Sequence, residues 1–305
     1  MNDATVTFSR LRPRLLSIAY RMLGSLAEAE EVVQDVWLKW HAADPLNVDN
    51  AEAWLVSVTT RTSIDRLRSA KVERAHYPGL WLPEPLLTDP PATPEDVLEQ
   101  AGQISLALLM ILERLSPEAR SAFLLHEVFD ADYAEIAHML GKSEAACRQL
   151  VRRAKLQLQG GRPRRAVTPD AHRRLVADFA RAMTQGDLSS LRSMLTDDAE
   201  MVTDGGGKQP SFPRPMHGAA RIAQFFYAVQ RRHGTRLRVD LVSINGQCGV
   251  LRFIDGQLES AQSYETDGDR ICSVLIQRNP DKLARIAAVY RHATGRHKRG
   301  PSSDL

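Results

Sequence analysis

The sequence predicts a multidomain protein in which two all-α domains, a helical bundle and a helix-turn-helix, precede an α+β domain. The chain has 305 residues, a length that usually divides into about two or more cores. Apolar residues recur at three- and four-residue spacing in its first half, whereas alternating runs follow helices in the last third. One proline-rich and one glycine- and arginine-rich stretch interrupt these patterns and predict the linkers.

Residues 1–77 are predicted to form the helical bundle. Two apolar stripes, one within 15–22 and one within 32–40, are separated by Gly24 and Ser25, and a third helix is expected over residues 51–71. Trp37 and Trp54 fit the core of this bundle, although an aromatic residue can also stack on an unpaired base. For Trp54 we favour the core.

The segment 78–94 contains six prolines and is predicted to be a linker, because each proline removes a backbone donor and restricts its predecessor. Helical spacing returns over residues 95–160, and a basic linker is expected at 161–170. Between residues 78 and 112 there are five acidic residues and no Lys or Arg, whereas residues 148–174 carry nine basic residues and one acid. This segregation indicates segments with different electrostatic partners.

Residues 171–295 are predicted to form the α+β domain. Three helices (172–183, 188–195 and 219–232) are followed by four strands (236–244, 249–253, 260–266 and 271–277). The polar residues 296–305 are expected to be a disordered tail.

The composition argues against several classes of protein. The net charge is only +3, no apolar run approaches the length of a membrane span, and residues 1–10 lack the apolar core of a signal peptide. Three widely spaced cysteines offer neither a disulfide framework nor a metal-binding knuckle, and we expect them to be reduced and mostly buried. We therefore expect a cytoplasmic protein with no metal and no cofactor.

Residues 133–151 follow the pattern of a helix-turn-helix. Ile136 and Leu140 are apolar, Gly141 supplies the positive φ of the turn, and Cys147 and Leu150 are expected to face the core. An outward face suited to the major groove is predicted for Ser143, Glu144, Arg148, Gln149, Arg152 and Arg153. By itself such a face is as often merely solvated. Here an upstream helix, opened by the Ser116 cap and Pro117, favours DNA binding.

The two helical domains resemble extracytoplasmic-function (ECF) sigma factors, the promoter-recognition subunits of bacterial RNA polymerase. The sequence AEEVVQDVWL at 29–38 resembles sigma region 2.2, residues 54–71 resemble regions 2.3 and 2.4, and residues 115–158 resemble region 4. The resemblance implies that region 2.2 binds the β′ clamp helices of core polymerase and region 4 binds the −35 element, with the β flap as a further partner. The core-binding candidates are Glu31, Gln34, Asp35 and Leu38.

The resemblance also implies that region 2 recognises and melts the −10 element. The residue types fit, since a polar loop before Trp54 can capture an unstacked base and nearby arginines can bind phosphates. The −10 candidates are Asn47, Asn50, Arg61, Asp65, Arg66, Arg68 and Lys71. The acidic linker matches a segment that, in sigma factors, occupies the path of the nascent RNA.

Three further motifs narrow the resemblance to SigJ-type sigma factors, which carry a C-terminal SnoaL-like domain with a cone-shaped α+β barrel. The first is a regulatory linker motif, Trp81, Leu82, Pro83, Glu84, Pro85 and Leu86. The others lie in the regulatory tail: Asp204, Gly205, Gly206, Gly207 and Lys208, and then Asn279, Pro280, Asp281 and Lys282. The glycine-rich motif lacks the spacing of a phosphate-binding loop. It is either a flexible hairpin tip or a close contact with the linker motif, with Lys208 paired to Glu84 or another linker acid, and the resemblance favours the contact.

The predicted function is therefore promoter-specific transcription initiation as an ECF sigma factor regulated by its own C-terminal domain. Two alternatives are a one-component DNA-binding regulator with a small-molecule sensor barrel, and a SnoaL-type cyclase fused to a DNA-binding module. Asp204, His217, Tyr227 and Tyr264 are candidate cavity residues for such an enzyme. Because no catalytic triad or metal spacing accompanies them, we expect no catalytic residues and no enzyme activity. An unknown small ligand in the barrel stays open.

Overall fold

A computed structural model describes residues 3–43, 48–74, 76–88, 104–158, 165 and 167–297. The predicted −10 residue Asn47 lies outside these ranges, as do residues 89–94 of the first predicted linker and residues 161–164 and 166 of the second. The chain divides into two compact units, one of residues 1–76 and 90–163 and the other of residues 77–89 and 164–305. The linker motif thus belongs to the same unit as the α+β domain. Within the described ranges, no helix combines the length and apolar character needed to cross a membrane.

The first unit is helical. Its described helices are α1 (Asp3–Leu23), α2 (Leu26–Ala42), α3 (Ala51–Arg74), α4 (Leu106–Leu112), α5 (Pro117–Glu127), α6 (Tyr133–Leu140) and α7 (Glu144–Leu158). The predicted break between the first two helices is confirmed, because Gly24 has a φ of +70° and the Ser25 side chain caps α2. The third helix continues three residues past the predicted end at Lys71.

Tryptophans pack together in the core of the bundle. Trp40 is buried, and its indole nitrogen donates to the Ala4 carbonyl at 3.0 Å. Trp54 is half-buried, with its ring 5.3 Å from that of Trp40, and the Trp37 ring lies 4.8 Å from Phe8. Both tryptophans considered for base capture are thus packing residues in this structure.

The second unit is a six-stranded sheet with helices. Its elements are α8 (Pro169–Gln185), α9 (Leu188–Ser193), β1 (Leu195–Asp204), β2 (Met216–His217), α10 (Ala219–His233), β3 (Leu237–Ile244), β4 (Gln247–Ile254), β5 (Gln257–Asp267), β6 (Arg270–Gln277) and α11 (Pro280–His297). The strand order is β2-β1-β6-β5-β4-β3. β1 and β6 run parallel, and the other neighbouring strands are antiparallel. The α+β class predicted for this region is confirmed.

The sheet buries apolar residues on both faces because side chains alternate along each strand. On the inner face, Val250 and Tyr264 pack with Phe179 of α8 and Phe226 of α10. On the outer face, Leu251 and its neighbours pack against α11 through Leu283 and Ile286. Two helical layers therefore cover the two faces of the sheet.

Several sequence predictions need correction. The helix predicted over 188–195 ends at Ser193, where the long strand β1 soon begins. No helix was predicted after the last strand, yet α11 continues to His297 and includes the first two residues, 296 and 297, of the predicted disordered tail. Residues 298–305 lie outside the described part of the chain. Leu150 is only half-buried, and the core of α7 is completed by Val151 and Ala154.

Candidate functional site

The helix-turn-helix geometry follows directly from local sequence. Asp132 and Glu135 form a reciprocal capping box at the start of α6, and Gly141 ends that helix with a φ of +62°. Ser143 then accepts a hydrogen bond from the Ala146 amide at 3.2 Å and begins α7. Cys147 is fully buried, as predicted for a residue that faces the core.

The outward face of α7 is open to solvent. All six predicted −35 residues are exposed: Ser143, Glu144, Arg148, Gln149, Arg152 and Arg153. Arg148 pairs with Glu144 one turn earlier at 3.1 Å and lies over the Tyr133 ring at 5.4 Å. These contacts are exposed and therefore weak, so they orient Arg148 while leaving its guanidinium available to a base edge or phosphate.

The candidate core-binding face on α2 is also solvent-facing. Gln34, Asp35 and Leu38 are exposed, with Leu38 retaining 59% of its surface, while Val32, Val33 and Val36 are buried. Glu31 is exposed but forms an ion pair with Arg66 of α3. An exposed large apolar residue between polar neighbours is typical of a protein-binding surface.

The predicted −10 residues on α3 fall into two groups. Asn50 caps the helix, accepting from the Ala53 amide at 3.0 Å, and Lys71 is exposed on its surface. Arg61 and Arg68, by contrast, contact the helices of region 4 in the same unit. The Arg61 guanidinium donates to the carbonyls of Met139 and His138 at 2.8 and 3.0 Å.

Arg68 extends the contact between α3 and the helix-turn-helix region. It pairs with Asp65 on its own helix at 3.0 Å and with Glu118 at the start of α5 at 2.5 Å. The hydrogen bond from Arg68 lowers the pKa of Glu118 below its ordinary value. Two of the cations predicted to bind DNA are thus engaged by protein acceptors in this arrangement.

A buried cluster fixes the end of α3 against α5. Arg120 is 2% exposed, donates to the Arg21 carbonyl at 2.9 Å and pairs with Glu113. Arg74 pairs with the same carboxylate and donates to the Leu23 carbonyl at 2.7 Å. Because these partners are largely shielded from water, removing Glu113 would leave the buried Arg120 charge without its ion-pair partner, so the contact is sensitive to loss of this carboxylate.

In the second unit, the segment of residues 77–88 (the linker segment) lies against the sheet. Leu86 and Asn245 exchange hydrogen bonds, with the Leu86 amide 3.0 Å from the Asn245 side chain and the Asn245 amide 2.9 Å from the Leu86 carbonyl. Leu87 forms an isolated antiparallel bridge with Ile244, next to the Thr88 amide, which donates to the Ser243 carbonyl. The linker segment is therefore paired with the end of β3.

One carboxylate binds the other end of the linker segment. Asp204 is fully buried at the end of β1 and accepts hydrogen bonds from the Tyr77 hydroxyl at 2.7 Å and the Leu82 amide at 3.0 Å. Lys282 pairs with the same carboxylate at 2.7 Å and also donates to the Leu82 carbonyl. Gln277 donates to Asp204 at 3.1 Å. We call Tyr77, Asp204, Gln277, Asn279 and Lys282 the linker clamp.

Electrostatics and aromatic contacts reinforce the linker clamp. Burial and the hydrogen bond to Asp204 raise the pKa of Tyr77, so its hydroxyl stays protonated and donates. The Lys282 ammonium lies 4.3 Å from the ring centre of Trp81 and 5.0 Å from that of Tyr77. Glu84 and its neighbours Leu82, Pro83 and Pro85 are buried.

The predicted pairing of Lys208 with a linker acid is wrong. Lys208 pairs with Asp281 at 2.6 Å, and both side chains are exposed. Lys282 contacts the linker instead. It reaches inward because Asn279, just after β6, accepts from the Asp281 amide and donates to Tyr77, which places the start of α11 beside Asp204.

Glycines allow the close approach of the linker, as the sequence predicts. Gly206 and Gly207 have φ values of +62° and +70°, and a Cβ on Gly207 would lie 2.6 Å from the Pro78 side chain. A Cβ on Gly206 would overlap Asn279. The motif is therefore a contact surface rather than a free hairpin tip.

The sequence interpretation missed three residues that contact the linker segment or complete the linker clamp: Tyr77, Asn245 and Gln277. Gln277 carried a usable signal, since it is a polar residue that ends an apolar strand and directly precedes the Asn279 motif. The proposed cavity residues have different surroundings, and Tyr227 is half-buried on α10. Asp204 is occupied by the linker, His217 is exposed, and the Tyr264 hydroxyl donates to Gln262 at 2.7 Å.

Comparisons with known proteins agree with this geometry. Residues 7–72 match the Sigma-70 region 2 family and residues 105–158 match the Sigma-70 region 4 family. The chain is 36% identical to the ECF RNA polymerase sigma factor SigJ of Mycobacterium tuberculosis, over 96% of this chain and 98% of that protein. It is 28% identical to the probable ECF RNA polymerase sigma factor SigI of the same organism, covering 91% and 93% of the two chains.

A solved structure extends the comparison to the fold. The crystal structure of Mycobacterium tuberculosis SigJ, at 32% identity, superposes with a TM-score of 0.75 and covers 92% of this chain and 98% of that one. Both helical regions and the sheet domain fall within the matched length. The chain belongs to the ECF RNA polymerase sigma factor family.

Proposed function

We propose that this sigma factor directs initiation through the exposed faces of α2 and α7 and that docking of the linker segment on the sheet domain inhibits it. In this proposal residues 1–77 are region 2, residues 95–160 are region 4, and residues 171–295 are a SnoaL-like regulatory domain. The clamping of residues 77–88 by Asp204 and Lys282 carries the regulatory part of the proposal.

The two exposed faces suit different partners. On α2, Asp35 and Leu38 offer a charge and an apolar surface to the β′ clamp helices of core polymerase. On α7, Arg148 and Gln149 can contact base edges of the −35 element, while Arg152 and Arg153 bind phosphates. We also propose that region 4 contacts the β flap of core polymerase.

Two features of the docked state would inhibit promoter binding: the linker segment is held on the sheet domain, and two arginines proposed to bind DNA are paired with protein acceptors. Residues 77–88 directly follow α3, and their release would add up to about 40 Å of chain between the two promoter-reading regions. While the segment is docked, this length of chain cannot extend between the two regions. Arg61 and Arg68, the proposed −10 contacts, are also paired with acceptors on α5 and α6, so binding the −10 element requires those contacts to break.

No catalytic step is part of this function. A one-component repressor or activator would also use α7, but its binding to DNA would not require core polymerase. Because the chain belongs to the ECF sigma factor family, we favour the sigma factor over the one-component regulator. In this proposal the barrel is a regulatory domain and not an enzymatic one.

Runoff transcription with purified core polymerase and a panel of promoters tests the proposal. We expect transcripts only when the chain is added, and more transcript from a variant truncated after Gly160 than from the full chain. Arg148→Ala should relax specificity at one or two base pairs, because a bidentate base contact contributes about 1–3 kcal/mol of discrimination. Duplex binding without any dependence on core would support the one-component regulator instead.

A further inference from the structure

The inner face of the sheet carries a row of buried polar side chains that the proposed function does not use. Ser260, Gln262 and Tyr264 alternate along β5, each at most 1% exposed, and Arg252 of β4 lies directly opposite Ser260. Gln262 donates to Ser260 at 3.1 Å and accepts from Tyr264 at 2.7 Å. Ser260, Gln262 and Tyr264 thus bond to one another, whereas the burial of the charged Arg252 needs a separate explanation.

Arg252 is 2% exposed and only partly satisfied. Its Nε and Nη2 donate to one oxygen of Glu259, at 2.7 and 2.6 Å. The second oxygen of Glu259 pairs with Arg278 at 2.6 Å. Burial tends to raise the pKa of Glu259, but the two guanidinium groups outweigh it and lower that pKa, so this carboxyl is ionised. Two buried or half-buried cations thus share one anion, which leaves one positive charge in excess.

Two donor atoms in this region have no partner among the described residues. Arg252 Nη1 and His233 Nδ1 are both shielded from solvent and make no hydrogen bond there. The charges of Arg252 and Glu259 both act on His233, and the charge of Arg252 also acts on Tyr264, which places these side chains in one electrostatic neighbourhood. A buried donor without a partner is destabilising, and more so when it is charged, so native structures rarely leave one without a water or ligand.

We propose that Arg252 and His233 form a binding site for a small carboxylate on the inner face of the sheet domain. A carboxylate supplies two acceptor oxygens and the single negative charge that the Arg252–Glu259–Arg278 group lacks. Arg252 Nη1 binds one oxygen, and the neutral imidazole, with its proton on Nδ1, donates to the other. The two residues of the site, Arg252 and His233, are not members of the linker clamp, and the proposal does not rest on the proposed regulation.

Calorimetric titration of the full-length chain with acetate and benzoate, in the absence of polymerase and DNA, tests this site. We expect saturable binding of at least one carboxylate and none of the matched amides, acetamide and benzamide. Arg252→Met should weaken binding by ten-fold or more. This variant leaves Glu259 paired with Arg278, so no buried carboxylate loses its last partner.

Two further variants control for folding and for nonspecific charge. His233→Phe alters a half-exposed side chain at the end of α10 and should also weaken binding. Arg181→Met removes an exposed cation, paired with Asp178, from α8 and should leave binding unchanged. Circular dichroism establishes that each variant is folded, and the titrations of the wild-type chain and of His233→Phe test the site even if Arg252→Met does not fold.

Absence of saturable carboxylate binding to the wild-type chain would overturn the proposal. Equal binding by Arg252→Met and Arg181→Met would also overturn it, since the attraction would then be general. A crystal structure grown with benzoate that showed only a water molecule on Arg252 Nη1 would assign the unpaired donor to hydration. Because none of these measurements involves transcription, their failure would leave the proposed promoter function untouched.

Discussion

Replacing Asp204 with asparagine should release the linker segment from the sheet domain. The carboxylate is fully buried, and its two oxygens accept from five donors: Tyr77, Leu82, Gly206, Gln277 and Lys282. An asparagine side chain has nearly the same shape but only one acceptor oxygen and no charge. In either orientation of the amide, an NH₂ group faces donors that it cannot satisfy.

The magnitude follows from the ion pair. Breaking a buried pair by removing one charge typically costs 3–5 kcal/mol, and hydrogen bonds to a charged group contribute about 1.5–3 kcal/mol each. Lys282 keeps 12% of its side-chain surface exposed, so water can partly solvate the ammonium that is left behind. We therefore take the low end, about 3 kcal/mol, which shifts the docking equilibrium roughly 100-fold.

Hydrogen exchange at the Leu82 amide measures this shift. That amide donates directly to Asp204, so it exchanges only when the contact opens, and its protection should fall by roughly 100-fold in Asp204→Asn. Lys208→Met is the matched control, because the Lys208 side chain pairs with Asp281 at an exposed site. Protection that is equal in wild type and Asp204→Asn would refute the assignment of Asp204 as the residue that holds the linker.

Three other outcomes are expected. Gly207→Ala should lower the hydrogen-exchange protection of the linker segment more than Gly256→Ala does. Both glycines have a positive φ, but of these two positions only residue 207 would place a Cβ against the linker residue Pro78. Equal effects would mean that backbone strain alone is the cause. NMR titration should give Glu118 a pKa below its ordinary value of 4.5, and Arg68→Met should move that pKa back toward 4.5. The stabilisation from this pair is complete above about pH 4.5 and is lost as the pH falls through the lowered pKa. A Glu118 pKa that does not change in Arg68→Met would contradict the pairing. Charge reversal in Asp35→Lys should weaken binding to core polymerase without changing the circular dichroism, and normal assembly would count against the α2 face.

The helix-turn-helix could be predicted from sequence because its determinants are local. The turn needs a positive φ at Gly141, the cap needs Ser143, and the crossing needs a small buried residue at Cys147, all within a few positions. Exposure of the recognition face follows from helical periodicity once the buried side is fixed. The break at Gly24 was predictable for the same reason.

The sequence predicts where the linker clamp lies, but not which residues pair with one another in it. The motif around Asp204 was recognised, yet which lysine reaches it depends on tertiary placement. The parallel pairing of β1 with β6 puts Asp204 opposite Gln277, and the turn into α11 then brings Lys282 inward and leaves Lys208 outside. Residues that contact the linker from distant strands, such as Asn245, carry no local signal.

The missed helix α11 did have a sequence signal. Leu283, Ile286 and Tyr290 recur at spacings of three and four residues and pack on the outer face of the sheet. Interpreting the preceding Asn279 to Lys282 stretch only as a motif obscured this periodicity. The strands β1 and β2 were not predicted, and the helix before β1 was extended to Leu195 because Leu195 fits the apolar pattern of that helix.

Runoff transcription by the wild-type chain and by Asp204→Asn on one promoter, with the same core polymerase, tests the central claim most directly. We predict no specific transcript from core alone, a transcript from the wild-type holoenzyme, and a higher transcript level from the variant because its linker segment is free. Equal transcript levels, together with the loss of Leu82 amide protection in the variant, would contradict inhibition by the docked linker.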